Sequence, residues 1–176
     1  TGKGSLSLSA TLHFFDLLQS AGLPTHLVAA GPEPGSLLVK RAQSFDLEVI
    51  CRKKAYGSFV RRYGKWIAEG APLPSLIEFT LKDDQRGDPL INEEALAALQ
   101  ILTAAEIGTI KEAARQATGL IAADLAKHGL ELLDIKYEFG KVGGQIVFID
   151  EISGDSMRVI KDGRILLPHE VYPAMQ

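Results

Sequence analysis

The sequence predicts an α+β fold in which an antiparallel sheet is backed by one long helix. Three observations predict it. From Leu133 to Phe139, in Leu132-Leu133-Asp134-Ile135-Lys136-Tyr137-Glu138-Phe139-Gly140, apolar and ionisable residues alternate with a period of two, as in a strand with two unlike faces. Over residues 104–128, Ile107, Ile110, Ala114, Ala117, Ile121 and Leu125 recur at the spacing of one helix face. Strands and helices otherwise follow one another without regular βαβ alternation, which disfavours a doubly wound sheet. With 46% hydrophobic and 23% charged residues, the 176-residue chain can build one core or two small lobes.

The elements can be justified in order. Thr1-Gly2-Lys3-Gly4 reads as the middle of a loop with no initiator Met, and Ala174-Met175-Gln176 as an equally abrupt end, so neither is expected to be a natural terminus. Residues 5–21 predict a helix with Leu6, Ala10, Phe14, Leu17 and Ala21 on its buried stripe, stopped by Gly22 and Pro24. A strand near 25–30, a turn at 31–35 and strands over 37–41 and 47–52 follow, the last two separated by the polar Gln43-Ser44. Ala55-Tyr56-Gly57-Ser58 opens a short helix to Arg62. Residues 69–89, rich in proline and turn formers, read as an irregular excursion ending in Lys82-Asp83-Asp84. Thr103 and Glu106 form a capping box before the long helix, and Gly129 ends it. Two strands joined at Gly143-Gly144 come next, then a short pair around Asp162-Gly163.

Bulk properties narrow the function. A net charge of −3 does not favour nonspecific nucleic-acid binding. The single cysteine, Cys51, excludes an internal disulfide and fits a reducing cytosol. No apolar run is long enough to span a bilayer, so a cytoplasmic protein without a membrane partner is expected. None of the four histidines has metal-ligand spacing; His128 reads as a favourable charge at a helix C-terminus. Cys51 has no base beside it and reads as a buried small residue.

The chemistry concentrates in three places. Leu133, Ile135, Tyr137 and Phe139 share one strand face; Asp134, Lys136 and Glu138 share the other, and Asp150-Glu151 follow after a hairpin. Four carboxylates and an ammonium in so short a span suit a divalent metal and a phosphate, because mutually repelling carboxylates need a cation between them. The plainer reading is a salt-bridged exposed face. Arg52-Lys53-Lys54-Ala55-Tyr56-Gly57-Ser58 sets three cations, a glycine and a hydroxyl after an apolar strand, a combination that holds a phosphate or carboxylate or else forms a solvated basic turn. Asp155 and Arg158 lie in a loop placed to close over a ligand.

These motifs resemble the phosphoribosylaminoimidazole-succinocarboxamide synthase (SAICAR synthetase) family. Glu48-Val49-Ile50-Cys51-Arg52-Lys53-Lys54-Ala55-Tyr56-Gly57-Ser58 carries much of the match, and residues 134–140 fit the family's D-x-K-x-E-F-G. Lys82-Asp83-Asp84 with Asp88-Pro89, Asp150-Glu151-Ile152-Ser153 with Asp155 and Arg158, Gly2-Lys3-Gly4, and Gly22-Leu23-Pro24-Thr25-His26 agree in order and spacing. The resemblance implies a two-lobed, kinase-like ATP-binding architecture. Residues 1–176 would be mainly its larger lobe, an incomplete domain with a hinge at about 42–48, lacking the N-terminal glycine-rich strands and the C-terminal helices. It implies an ATP- and Mg²⁺-dependent amide ligase of purine biosynthesis. Such a ligase joins carboxyaminoimidazole ribotide to L-aspartate and releases ADP and phosphate, with an acyl phosphate on the way.

Carried over by position, Glu138 and Asp150 become the metal-binding acids, and these two with Ala42 and Glu48 the ATP site. Arg52, Ser58, Lys136, Asp155 and Arg158 become ligands of the imidazole ribonucleotide, and Lys136 and Asp134 the catalytic pair. Lys82, Asp84 and Asp88 fall where the family binds aspartate or orders a closing loop. A homo-oligomer is compatible with the resemblance. Three positions depart from the family pattern: Gly154 replaces a proline, Gly87 replaces a histidine before Asp-Pro, and Asp46-Leu47 replaces a proline-containing approach to Glu48. The alternatives are a paralogous ligase acting on another azole nucleotide, a phosphotransferase on the same fold, and a non-catalytic nucleotide-binding remnant.

Overall fold

A computed structural model describes residues 2–176. In chain order it comprises α1 (Gly2–Ser20), β1 (Leu27–Ala30), β2 (Leu37–Val39), β3 (Gln43–Lys54), α2 (Ser58–Tyr63), β4 (Pro72–Leu81) and β5 (Leu90–Ile91). There follow α3 (Glu93–Ala98), α4 (Ala104–Ala126), β6 (Glu131–Val142), β7 (Gln145–Ile149), β8 (Met157–Lys161), β9 (Arg164–Ile165) and α5 (Pro168–Val171). Seven strands make one antiparallel sheet in the order β5-β4-β3-β6-β8-β9, with β7 hairpinned onto β6; β1 and β2 form a separate hairpin. This is the expected α+β class.

The alternation of β6 sets the layers. Ile135, Tyr137 and Phe139 are buried in the core that α4 covers; Leu133 is buried too, but a bulge between Leu132 and Asp134 puts Leu132, opposite Val159, in that core in its place. The six residues of the α4 stripe are buried as its spacing predicts, and the capping box forms. The Thr103 hydroxyl accepts from the Glu106 N–H at 3.2 Å, and the Glu106 carboxylate accepts from the Thr103 N–H at 2.8 Å. In the buried part of this interface Thr118 Oγ1 meets Tyr137 OH at 2.9 Å, which partners the tyrosine hydroxyl in apolar surroundings, and at its edge Lys141 of β6 pairs with Glu106 of α4.

Four local expectations change. Helix α1 buries Ala10, Thr11, Phe14, Phe15 and Leu18, whereas Leu17 is half-buried and Ala21 exposed. Contacts with both α4 and α5 turn the stripe by about one residue. Gly2 to Gly4 form its first turn rather than a loop. Gln43 and Ser44 do not interrupt a strand but belong to β3, opposite Lys141 and Gly140, and a bulge between Ser44 and Glu48 follows. Residues 72–81, read as irregular, are the ten-residue strand β4. Its prolines Pro72 and Pro74 escape the usual penalty because β5 pairs only with Phe79 and Thr80, so the proline end has a free edge. Helix α3 was not expected; the Asn92 side chain caps it by accepting from the Ala95 N–H at 2.8 Å.

The segment before β1 is tied to the end of β7. Thr25 bridges Phe148 in parallel, the His26 N–H donates to the Phe148 carbonyl at 2.9 Å, and the Phe148 N–H donates to the Pro24 carbonyl at 3.0 Å. Among the described residues, no helix is long and apolar enough to cross a membrane.

Candidate active site

The sheet face turned away from α4 is polar, and strand register decides who meets whom. Arg52 lies opposite Asp134, Ile50 opposite Lys136, and Glu48 opposite Glu138 across β3 and β6. On the far side of β3, Thr80 lies opposite Glu48 and Glu78 opposite Ile50; on β8, Arg158 lies opposite Asp134. Two neighbouring clusters result.

The first is built on arginines. Arg52 is only 1% exposed, so its guanidinium must find its partners inside the protein. Nε donates to Glu78 Oε2 at 2.6 Å, Nη1 to Asp134 Oδ2 at 3.0 Å, and Nη2 to Ser58 Oγ at 2.9 Å. Arg158 Nε donates to the other Asp134 oxygen at 3.1 Å, and Arg62 Nη2 to the other Glu78 oxygen at 2.6 Å. Burial pushes the Asp134 pKa up, against the pull of Arg158 and Arg52. Gly57 (φ 57°) makes room for Arg158: a Cβ there would stand 1.7 Å from Arg158 Nη1. A cavity of about 290 Å³ opens at this cluster, and Arg52, Ser58, Asp134, Lys136, Asp155 and Arg158 all line it. These are the residues that the resemblance assigns to the nucleotide and to catalysis. Asp155 is exposed at the rim, where its Oδ2 accepts from Ser7 Oγ at 3.1 Å.

The second cluster joins lysines and acids. Lys82 Nζ bonds both oxygens of Glu138, at 2.8 and 2.9 Å. Lys136 Nζ donates to Glu48 Oε1 at 2.8 Å, and Thr80 Oγ1 to Glu48 Oε2 at 2.9 Å. Asp150 follows Ile149, the register partner of Glu138, and takes a left-handed backbone at φ 65°. Burial raises the pKa of Glu138; Lys82 opposes that rise and the charge of Asp150 adds to it. The bond to Glu138 raises the pKa of Lys82. Burial lowers that of Lys136, but Glu48, Glu138 and Asp150 together outweigh it, so this ammonium stays charged.

The four carboxylates of the sequence are therefore divided: Asp134 belongs to the arginines and Glu151 to the Ser153 hydroxyl at 3.2 Å, while Glu138 and Asp150 share the lysine cluster. Among the described residues, no group of three or more His, Cys, Asp or Glu side chains is arranged to hold a metal. Mg²⁺ on a nucleotide needs fewer, being held by one or two carboxylates, phosphate oxygens and water. The hard oxygen donors Glu138 and Asp150, whose mutual repulsion a cation relieves, fit that requirement.

Other sequence candidates have different surroundings. Asp84 is exposed in a 3₁₀ turn over residues 84–86, and Asp88 Oδ1 accepts from the Asp83 N–H at 2.9 Å; both shape the loop and neither lines the cavity. Ala42 is half-buried just before β3. His13 Nε2 meets Asp124 Oδ2 at 2.6 Å, away from both clusters. Cys51 is fully buried, and burial raises its thiol pKa, as befits a core residue. Sequence reasoning missed Glu78 and Thr80, and for Gly57, which it named beside Ser58 and Arg52, it missed the space left for Arg158. The first two were hidden because β4 was not recognised, although Leu76-Ile77-Glu78-Phe79-Thr80 carries the period-two signal.

Two departures from the family pattern have local causes. A Cβ on Gly154 would stand 1.9 Å from the Pro168 carbonyl oxygen, so no proline fits there with α5 in place. Asp46 has φ 53°, which proline cannot adopt.

The SAICAR synthetase family model matches residues 1–166. A phosphoribosylaminoimidazole-succinocarboxamide synthase from Clostridium tetani (strain Massachusetts / E88) is 44% identical over 171 residues, 95% of this chain and 75% of that one. A solved SAICAR synthetase superposes with a TM-score of 0.91 at 39% identity, over 99% of this chain and 88% of its own. A SAICAR synthetase solved in complex with ADP gives 0.89 at 34% identity, over 98% and 74%. With the family model covering nearly its whole length and a relative this similar along 95% of it, the chain belongs to the SAICAR synthetase family.

Proposed function

We propose that the chain is an ATP-dependent amide ligase of purine biosynthesis that joins carboxyaminoimidazole ribotide to L-aspartate, giving SAICAR, ADP and phosphate. One observation carries the reading. Strand β6 presents Asp134, Lys136 and Glu138 in succession on one face. Lys136 lines the cavity and is also bonded into the acid cluster next door. It stands where a substrate carboxylate and a phosphoryl donor would have to meet. The surroundings fit the cytoplasm, the single cysteine being buried and free.

The reaction divides between the clusters. Arg158, Ser58 and Arg52 bind the acidic nucleotide, guanidinium forks being suited to phosphate and carboxylate oxygens. Asp134 fixes both arginines. A carboxylate oxygen of the ribotide attacks the γ-phosphorus of ATP, the bond to the bridging oxygen breaks, and ADP leaves. The deprotonated aspartate amine attacks the acyl carbon, the bond to the phosphate-bearing oxygen breaks, and phosphate departs as the amide nitrogen loses its extra proton. Lys136 holds the carboxylate and offsets negative charge as the phosphoryl group moves. Glu138 and Asp150 would hold Mg²⁺, which when bound neutralises the ATP phosphates. Lys82, free to exchange Glu138 for a ligand, is the cation offered to aspartate, and the loop bearing Asp84 and Asp88 orders around it. ADP release tests the reading. It should need the ribotide, and the succinocarboxamide should form only with aspartate. ADP release indifferent to the ribotide would overturn it.

A further inference from the structure

Three neighbouring strands hand Lys136 its partner. Thr80 on β4 lies opposite Glu48 on β3, and Glu48 lies opposite Glu138 on β6, two residues along from Lys136. These four side chains therefore share the polar face of the sheet. The Lys136 ammonium reaches diagonally across the ladder and donates to Glu48 Oε1 at 2.8 Å. The Thr80 hydroxyl donates to Glu48 Oε2 at 2.9 Å, so both oxygens of Glu48 are engaged. Glu48 and Glu138 would repel each other across β3 and β6, and each has its own ammonium: Lys82 bonds both oxygens of Glu138, which leaves Glu48 to Lys136. The Lys136 side chain is long and 38% exposed, and among the described residues its ammonium makes one hydrogen bond, the one to Glu48. Thr80, by contrast, is a fixed point. It is buried, and its strand is paired on both sides, with Glu48 on β3 and Leu90 on β5.

We infer that Thr80 is a positioning residue for Lys136: its hydroxyl locks the Glu48 carboxylate, and Glu48 in turn holds the Lys136 ammonium at the cavity wall, where the ribotide carboxylate binds. Thr80 does not line the cavity and touches no substrate; it acts through Glu48. Without the hydroxyl, the Glu48 carboxylate is free to turn and carries the lysine head with it. The inference rests on the reading of Lys136 as the residue that holds the ribotide carboxylate. A hydrogen bond to a charged group is worth enough to change that grip about tenfold or more.

The test is calorimetric binding of two ligands, carboxyaminoimidazole ribotide and the same ribotide without its carboxylate, to the unaltered protein and to Thr80→Val, Thr80→Ser and Lys136→Met. Valine keeps the shape of threonine and removes the hydroxyl; serine keeps the hydroxyl. The ratio of the two affinities reads the grip on the carboxylate alone. Thr80→Val should lower that ratio about tenfold, by weakening the carboxylated ribotide while the other binds as before, and Thr80→Ser should restore it. If Thr80→Val does not fold, Thr80→Ala, which also lacks the hydroxyl and puts less in its place, is read in the same way. An unchanged ratio in Thr80→Val, equal losses in Val and Ser, or an equal weakening of both ligands overturns the role of Thr80. An unchanged ratio in Lys136→Met overturns the reading of Lys136 itself, whatever Thr80 does.

Discussion

Arg52 and Asp134 face each other across β3 and β6, Nη1 donating to Oδ2 at 3.0 Å, and both are almost wholly buried. Asp134 gives its second oxygen to Arg158, whose side chain is 37% exposed. The two arginines that read alike in sequence therefore differ in duty. Arg52 is a structural centre that turns part of its guanidinium to the cavity, and Arg158 is the freer ligand.

Arg158→Ala should leave the fold intact and raise the KM for the ribotide much more than that for ATP. Arg52→Ala leaves one oxygen of each of the buried Glu78 and Asp134 carboxylates without its partner, Arg62 and Arg158 keeping the others, and should cost about 3 kcal/mol of stability. Denaturant titration alongside steady-state kinetics separates the two. Equal rises in both KM values for Arg158→Ala would contradict its assignment.

Gly57→Ala should reproduce the Arg158 defect without touching Arg158. The new methyl would occupy the guanidinium's place, and the left-handed backbone adds about 1–3 kcal/mol of strain. A ribotide KM that stays normal in Gly57→Ala would mean that Arg158 does not work from its observed position.

Gly154→Pro restores the family's usual residue and should nonetheless destabilise this chain, because the ring's Cβ meets the Pro168 carbonyl. Overpacking of this kind costs about 1–3 kcal/mol. A rise in thermal midpoint would show that α5 yields there.

Asp124 provides the pH dependence. Burial raises its pKa, but hydrogen bonds from Lys127 and His13 outweigh burial and leave it below the ordinary 3.8. A carboxylate whose folded pKa is depressed stabilises the fold above its unfolded pKa and loses that contribution as pH falls through the folded value. The stability gap between the unaltered protein and Asp124→Asn should thus be full near about pH 5 and close below 3.8. Denaturant midpoints measured down the pH scale would expose a gap that fails to close.

Much of this was legible in the sequence because strict periodicity is hard to disguise. The two faces of β6 from Asp134 to Phe139 and the capped α4 follow from spacing alone, and six residues assigned to nucleotide binding and catalysis line one cavity. Other features depended on tertiary context. Pro72 and Pro74 mask β4 until its free edge is seen, and with β4 went Glu78, the acid that anchors Arg52. The grouping of Glu138 with Lys82 rather than with Asp134 depends on side-chain partnerships that alternation does not encode. The left-handed bend at Asp150 has no signal in residue type, since aspartate tolerates but does not require it.

The central claim is that this site activates a carboxylate by phosphorylation and passes it to an amine. It is tested most directly by running the reaction with carboxyaminoimidazole ribotide labelled with ¹⁸O in both carboxylate oxygens, then analysing the products by mass spectrometry. Attack of the carboxylate on the γ-phosphorus predicts one ¹⁸O in the released phosphate, one in the amide of the succinocarboxamide, and none in ADP. Unlabelled phosphate with both labels still in the ribotide, while ADP accumulates, would contradict it.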